Sequence, residues 1–319
     1  LSVVTKSGTN TLPGSVFGFY RGDSLRATGE LEEEDLDYTR SQVGFTLGGP
    51  VTRDRTHYFL SLEYIDEDDI TLFRPSGGFA DLADDVERPL EQLLGLVSLD
   101  HLISDSQSLK AKAVYETLTQ DNFRVGGVCD ISCGQTLERD NFNLTLGHTW
   151  VISDERLNEL YVQAGTRSYE EPTNSDAVSE WFSSGSSLQT GANILGDLLG
   201  EGDYLGIRDT YQVFSGDHAV KLGASATYID ERSRIPLYEE GLFIYVLDNR
   251  LVPLAYAYGL GSSDVTVDTM LYGLFVQDEW RPSSNVSLTF GLRYDLDTDG
   301  NNPDFDHSLV GERDVDDDN

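Results

Sequence analysis

The 319-residue chain carries 22 basic and 56 acidic residues, and its net charge of −34 argues against nucleic acid or anionic lipid as a partner. No run approaches the ~18 apolar residues of a membrane helix, which excludes helical spanning. A barrel strand needs only about ten residues, half of them polar, so the negative mean hydropathy does not exclude a membrane.

The acids are segregated. They crowd into residues 30–37, 63–69 and 295–318 and thin out where apolar and polar residues alternate, as long solvated loops joined to uncharged strands would do. The start, Leu1-Ser2-Val3-Val4-Thr5-Lys6, lacks the basic opening and apolar core of a signal peptide. For an outer-membrane protein, the expectation is an N-terminus further upstream.

Residues 16–20 form a first aromatic-rich strand, followed by an acidic loop over 23–37. Val43, Phe45 and Leu47 alternate with Gln42, Gly44, Thr46 and Gly48. Gly-Gly-Pro followed by Arg-Asp-Arg is turn chemistry, after which Tyr58, Leu60, Leu62 and Tyr64 make the next apolar face. A loop over 66–89 precedes a strand at 93–102 and a turn at 104–106. The next strand sets Leu109, Ala111, Ala113 and Tyr115 against Lys110, Lys112 and Glu116, a polar face suited to a watery lumen. Beyond a cysteine-containing loop (120–139), Phe142, Leu144, Leu146, His148 and Trp150 alternate with Asn143, Thr145, Gly147 and Thr149. A turn at 153–156 leads to Leu160, Val162 and Ala164. A Ser/Gly/Glu-rich loop (170–205), a strand at 208–214 and a turn at 215–218 lead into Val220, Leu222, Ala224, Ala226 and Tyr228. Another loop covers 232–264, and an acidic tail without a strand follows residue 297.

The clearest hairpin is residues 272–295. Met270, Tyr272, Leu274, Val276 and Trp280 share one face opposite Gly273, Gln277 and Glu279. After a turn, Val286, Leu288, Phe290, Leu292 and Tyr294 face away from Ser287, Thr289, Gly291, Arg293 and Asp295. Connections alternate between short and long, as in outer-membrane barrels, which pair brief periplasmic turns with long extracellular loops. Aromatics mark both ends of the apolar faces: Tyr58, Trp150, Phe214 and Trp280 near short turns, and Tyr64, Tyr115, Tyr228 and Tyr294 near long loops. The expected fold is all-β, a transmembrane antiparallel up-and-down barrel. A soluble sandwich or solenoid also alternates but rarely needs such unequal loops. About eleven strands are expected. Bacterial barrels close with even strand numbers, so the set is read as part of a larger barrel.

Catalytic signatures are sparse: there is no Gly-x-Ser-x-Gly elbow, His-Glu-x-x-His helix or phosphate-binding glycine-lysine loop. The expectation is a non-enzyme without a cofactor. Cys129 and Cys133 read as a disulfide stiffening their loop or as a redox or metal pair. No further Cys or His completes a ligand set, which favours the disulfide. The acidic loops read as a solvated surface or as binders of cationic ligands or of divalent ions bridging lipopolysaccharide.

Several segments resemble TonB-dependent outer-membrane receptors, specifically the Oar-like group with a carboxypeptidase-regulatory-like N-terminal domain. They are Val3-Val4-Thr5-Lys6-Ser7-Gly8-Thr9-Asn10 with Gly14, Phe19-Tyr20-Arg21, and Gln42-Val43-Gly44-Phe45-Thr46-Leu47-Gly48-Gly49-Pro50 with Tyr58-Phe59. Gly216-Asp217-His218 with Lys221-Leu222-Gly223, and residues 272–295, complete the set in family order. The resemblance implies a 22-stranded barrel occluded by an N-terminal plug, and a TonB-type periplasmic partner that pulls on the plug. It implies that residues 1–12 are the end of the plug and its junction to the barrel, and that 13–319 are the N-terminal half of the barrel in the outer membrane of a Gram-negative-type bacterium. Pro13 stands where family members commonly place His. The implied function is ligand capture on extracellular loops and energised import; the alternative is a passive porin-like or adhesion barrel.

In the tail, Asp295, Asp297, Asp299, Asn301 and Asp306 follow the spacing of a calcium loop, with oxygen ligands at alternate positions and Gly300 at the sharp turn. Asp306 replaces the usual Glu, Pro303 stiffens the loop, and a strand rather than a helix precedes it. A solvated acidic loop is the favoured reading.

Overall fold

The computed structural model describes residues 8–23, 36–183, 187–246, 248 and 250–298. Its strands are β1 (Gly14–Gly22), β2 (Tyr38–Thr52), β3 (Thr56–Phe73), β4 (Asp84–Glu87), β5 (Leu90–Ser104), β6 (Gln107–Phe123), β7 (Gln135–Ser153) and β8 (Arg156–Glu171). Then come β9 (Ser179–Phe182), β10 (Leu188–Thr190), β11 (Leu198–Ser215), β12 (His218–Arg234), β13 (Leu242–Tyr245), β14 (Ala255–Ala257), β15 (Asp264–Ser283) and β16 (Val286–Asp297). Among the described residues no helix is long and apolar enough to cross a membrane.

Eleven strands form one antiparallel wall in the order β1-β2-β3-β5-β6-β7-β8-β11-β12-β15-β16, with β4 added to β3. This is the up-and-down sheet, and the strand number, that alternation predicts. The wall is open: β1 and β16 each have one partner among the described residues. Connections between wall strands alternate strictly. Three residues or fewer join β2 to β3, β5 to β6, β7 to β8, β11 to β12 and β15 to β16, and long segments join the others.

A single register carries one apolar face across the sheet. Leu47 opposes Leu60, which opposes Val97, and the line continues through Ala113, Leu144, Ala164, Leu205, Tyr228 and Met270. Beyond it Val276 opposes Leu292, which is 74% exposed. An apolar face this large with no protein against it is the lipid-facing surface of an outer-membrane barrel. The opposite face carries Gln42, Glu63, Lys112, Asn143, Arg167, Lys221 and Arg293 and is the lumen side.

Two details depart from the sequence reading. Phe275 interrupts the small, polar lumen face of β15, and the reason is packing. It lies directly opposite Gly223, where an added Cβ would stand 2.0 Å from the ring. The same arrangement recurs on the lumen side at Phe17 over Gly44, Phe59 over Gly48, Tyr161 over Gly147 and Tyr204 over Gly165, each ring covering a glycine on the neighbouring strand. Such a ring shields backbone that a glycine leaves bare. Phe214, placed in an aromatic belt by its nearness to a short turn, opposes Ala219 on the lumen side. Tyr211 and Val213 take the outward face of β11 instead.

At the long-connection end, β10-β9-β13-β14 form a second, four-stranded sheet. It belongs to a cap in which segments read from sequence as plain loops pack together.

Candidate functional site

The cap is built from four long connections. That between β3 and β5 supplies Phe79 and Val86, and that between β6 and β7 supplies Val125 and the cysteines. The β8–β11 connection gives β9 and β10, and the β12–β15 connection gives β13 and β14. Phe73, Val86, Val125, Phe182, Leu188 and Tyr245 form a buried cluster, with Phe79 and Phe243 packed on it. Phe182 is 1% exposed, edge-on to Phe79 and stacked on Tyr245, both at 4.7 Å between ring centroids. Burying such a ring is worth about 3 kcal/mol, which orders a segment that its own composition would leave loose.

Neighbouring connections are stitched edge to edge. Gly127 N–H donates to Leu72 O at 2.8 Å and Arg74 N–H to Gly127 O at 2.6 Å. Gln189 N–H donates to Val128 O at 2.7 Å, and Asp130 N–H to Gln189 O at 3.1 Å. β13 then pairs with β9. Each of these three joins between connections is parallel.

Charge is handled by pairing. Arg124 donates to both oxygens of Glu171, at 2.9 and 3.1 Å, and the Glu171 side chain is fully buried. Tyr169 OH also donates to Glu171. Gln135 Nε2 reaches Glu171 O and Gly196 O at 2.9 Å each, tying the start of β7 to both ends of the β8–β11 connection at the cap base. Removing one member of such a buried pair strands the other charge. Higher in the cap, Arg250 binds Glu180 at 2.6 Å and lies over the Phe182 ring at 5.6 Å. Burial, and then the Glu180 carboxylate, raises the Tyr245 phenol above its ordinary value, which keeps its proton in place.

Below the cap, the lumen face of the wall is lined with paired polar groups. Arg40 pairs with Glu67 and Arg167 with Glu231. Gln42 donates to Glu63 at 2.6 Å, Gln92 to Glu116 at 2.9 Å, and Tyr204 OH to Asn143 at 2.5 Å. At the short-turn end, Gly8 lines a hollow on this face with His57, Asp100, Lys110 and Tyr161. From there the chain passes round the β2–β3 turn to the edge of β2. Asn10 Oδ1 accepts from Asp54 N–H at 2.8 Å and lies 2.8 Å from His57 Nε2, and Gly48 N–H donates to Pro13 O at 2.8 Å.

Cys129 and Cys133 are joined as a disulfide in the cap, around a short 3-10 turn capped by Asp130. Tyr58, Tyr64, Tyr115, Trp150, Tyr228, Trp280 and Tyr294 all lie on the outward face by register. His148 also lies outward, 3.3 Å from Gln107. His218 binds Asp278 at 2.7 Å and stacks on Trp280, which accounts for a carboxylate on the outward face of β15. Of the calcium pattern, Asp295 is paired with Arg293 at 2.6 Å and Asp297 accepts from Thr269 at 2.5 Å. Asp299, Asn301 and Asp306 lie outside the described residues. Among the described residues no group of three or more His, Cys, Asp or Glu side chains is placed to hold a metal.

The sequence analysis missed the cap as a folded body. The available signal was the apolar tetrad Leu242-Phe243-Ile244-Tyr245 and the pair Trp181-Phe182 within stretches read as loops.

Direct comparison finds no similar curated protein sequence. Among solved structures, the chain resembles the outer membrane transporter YddB from Escherichia coli, with a TM-score of 0.62 and 13% identity over 91% of this chain and 39% of that one. A ferric enterobactin receptor (PfeA) mutant from Pseudomonas aeruginosa gives 0.59 and 13%, over 92% of this chain and 40% of that one. The siderophore receptor PirA from Acinetobacter baumannii gives 0.56 and 15%, over 92% and 40%. The chain thus spans about two-fifths of the length of these structures. The family model described as outer membrane beta barrel domain matches residues 4–72 and 85–307, and with the outward apolar wall this places the chain in the outer membrane, as a member of the outer membrane beta barrel domain family.

Proposed function

We propose that the chain is the first part of the barrel of a TonB-dependent receptor of the Oar-like group. Its cap captures a ligand from outside, and a plug upstream of Gly8 gates import through the lumen, driven by a TonB-type periplasmic protein. The observation that carries this reading is the route of residues 8–13. The chain arrives from the lumen side at the short-turn end and is fixed there by Asn10 before β1 begins. A strand hairpin entered directly from the periplasm has no need of that route. The likeness to transporters and receptors by fold supports the same reading, as do the paired charges lining the lumen. The edges of β1 and β16, unpaired among the described residues, fit a wall closed by further strands, since lipid cannot satisfy bare backbone groups.

Single-molecule conductance in planar bilayers tests the gate. The intact full-length receptor should show no steady ion current, and deletion of the region upstream of Gly8 should open a persistent pore. A steady open current from the intact protein would assign it to the passive porins.

A further inference from the structure

The β12–β15 connection of the cap leaves an apolar row in water. Val252, Leu254, Tyr256, Tyr258 and Leu260 occupy alternate positions with only small residues and Pro253 between them, and Leu254 and Leu260 are 69% and 90% exposed. Tyr256 packs on Phe243 at 4.6 Å and on Tyr258 at 6.5 Å, so the row continues the aromatic face of the cap. At its centre, β14 pairs with β13 on one side and with no other strand among the described residues. The face thus offers a ligand two things, main-chain hydrogen bonds along a strand edge and apolar side chains beside it.

Charge narrows the choice of ligand. The two connections that build the cap sheet, residues 172–197 and 235–263, carry Asp176, Glu180, Asp197, Glu239, Glu240 and Asp248 against a single cation, Arg250, which Glu180 already holds. Some of this charge borders the row. The turn from Tyr238 to Gly241 runs along it: Gly259 N–H donates to Tyr238 O at 3.1 Å, and the Tyr256 hydroxyl lies against Gly241, where a Cβ would have no room. Between those two contacts stand Glu239, paired with Arg234, and Glu240, which is exposed and has no ion pair among the described residues. An anionic iron chelate therefore meets repulsion on this face, whereas a cationic chain meets a carboxylate ready to pair.

We infer that the ligand captured here is an extended peptide segment, apolar at every second position and basic between. It adds as a strand beside β14, with apolar side chains against Leu254 and Tyr256 and a basic one paired with Glu240. The inference rests on the receptor reading above and names the class of its ligand. Strand addition of this type takes its affinity from main-chain hydrogen bonds and its selectivity from alternate side chains.

The test follows hydrogen exchange in the full-length receptor in lipid nanodiscs. The probe is a mixture of short peptides with lysine at alternate positions and valine, leucine or phenylalanine at the others. One control mixture carries glutamate in place of lysine, and a second has an N-methylated backbone. The lysine mixture should slow exchange in residues 252–260 at least tenfold and saturably, and neither control should. Glu240→Lys should exchange the preference, so that the glutamate mixture now protects the row and the lysine mixture does not; the gained protection also shows that the variant is folded. Exchange in the unliganded receptor as slow as that of β13 overturns the inference, because another part of the polypeptide then covers the edge. So does a lack of protection by the lysine mixture, or protection that survives N-methylation or Glu240→Lys. Bilayer conductance of the same preparation separates the two readings. A closed pore without peptide protection refutes only the peptide, whereas a steady open current removes the receptor reading as well.

Discussion

The wall and the cap use the same side chains in opposite ways. In the wall, Leu274, Phe290 and Leu292 point away from the protein and have no core behind them; in the cap, Phe182, Leu188 and Leu242 turn inward and are almost fully buried. Lipid removes the reason to hide an apolar face, so wall strands depend on their hydrogen-bonded ladders, and a bare edge is their weakness. Water restores that reason, so the cap depends on a packed aromatic cluster and tolerates short strands. The difference shows that alternation alone does not say which face is inside; the solvent on each side does.

The largest expected effect separates the two regions from the cap side. Phe182→Ala should lower cap stability by about 3–5 kcal/mol and raise hydrogen exchange through β9, β13 and the cysteine loop. Exchange in β5 to β8 should stay as it was. Equal loosening of the wall would mean that the two regions form one cooperative unit.

From the wall side, Phe290→Arg should cost about 2–4 kcal/mol and impair assembly in the membrane, while Thr289→Arg, one residue away and facing the lumen, should be mild. Comparable damage from both, measured as folded protein recovered in outer membranes, would remove the distinction between the faces.

A smaller effect belongs to the disulfide. Protein from an oxidising compartment should show no free thiol at Cys129 or Cys133. Cys133→Ser should cost the cap about 2 kcal/mol, seen as faster proteolysis of residues 124–134 with no change in the wall. Labelling of both cysteines without reductant would contradict this.

The smallest expected effect is that of calcium. Arg293 and Thr269 already hold Asp295 and Asp297. Calorimetric titration of the full-length protein should therefore give no saturable heat. Saturable uptake that Asp297→Asn with Asp299→Asn abolishes would establish the calcium loop.

The wall was legible because its chemistry repeats every second residue. Tyr58 to Tyr64, Phe142 to Trp150 and Val286 to Tyr294 each show one apolar and one polar face, and the register joins them as alternation predicts. Strand ends were less legible. β3 runs to Phe73 and β11 starts at Leu198, inside the stretches read as loops over 66–89 and 170–205, because acidic residues and glycines interrupt the alternation there while the backbone ladder continues. Phe275 and Phe214 broke the pattern for reasons that reside in a neighbouring strand. The cap was illegible for the same kind of reason: β9 and β13 are only four residues each and pair across 63 positions of sequence, so neither carries a local period.

The most direct test of the account is a spin-label scan of β15 and β16 in the full-length protein in bilayers. Labels at Leu274, Val276, Leu288, Phe290 and Leu292 should collide with oxygen dissolved in lipid, and labels at Gln277, Thr289, Gly291 and Arg293 with a water-soluble nickel complex, giving a period of two through both strands. Collision with the nickel complex at every position would contradict a lipid-facing wall and return the chain to the soluble sandwiches.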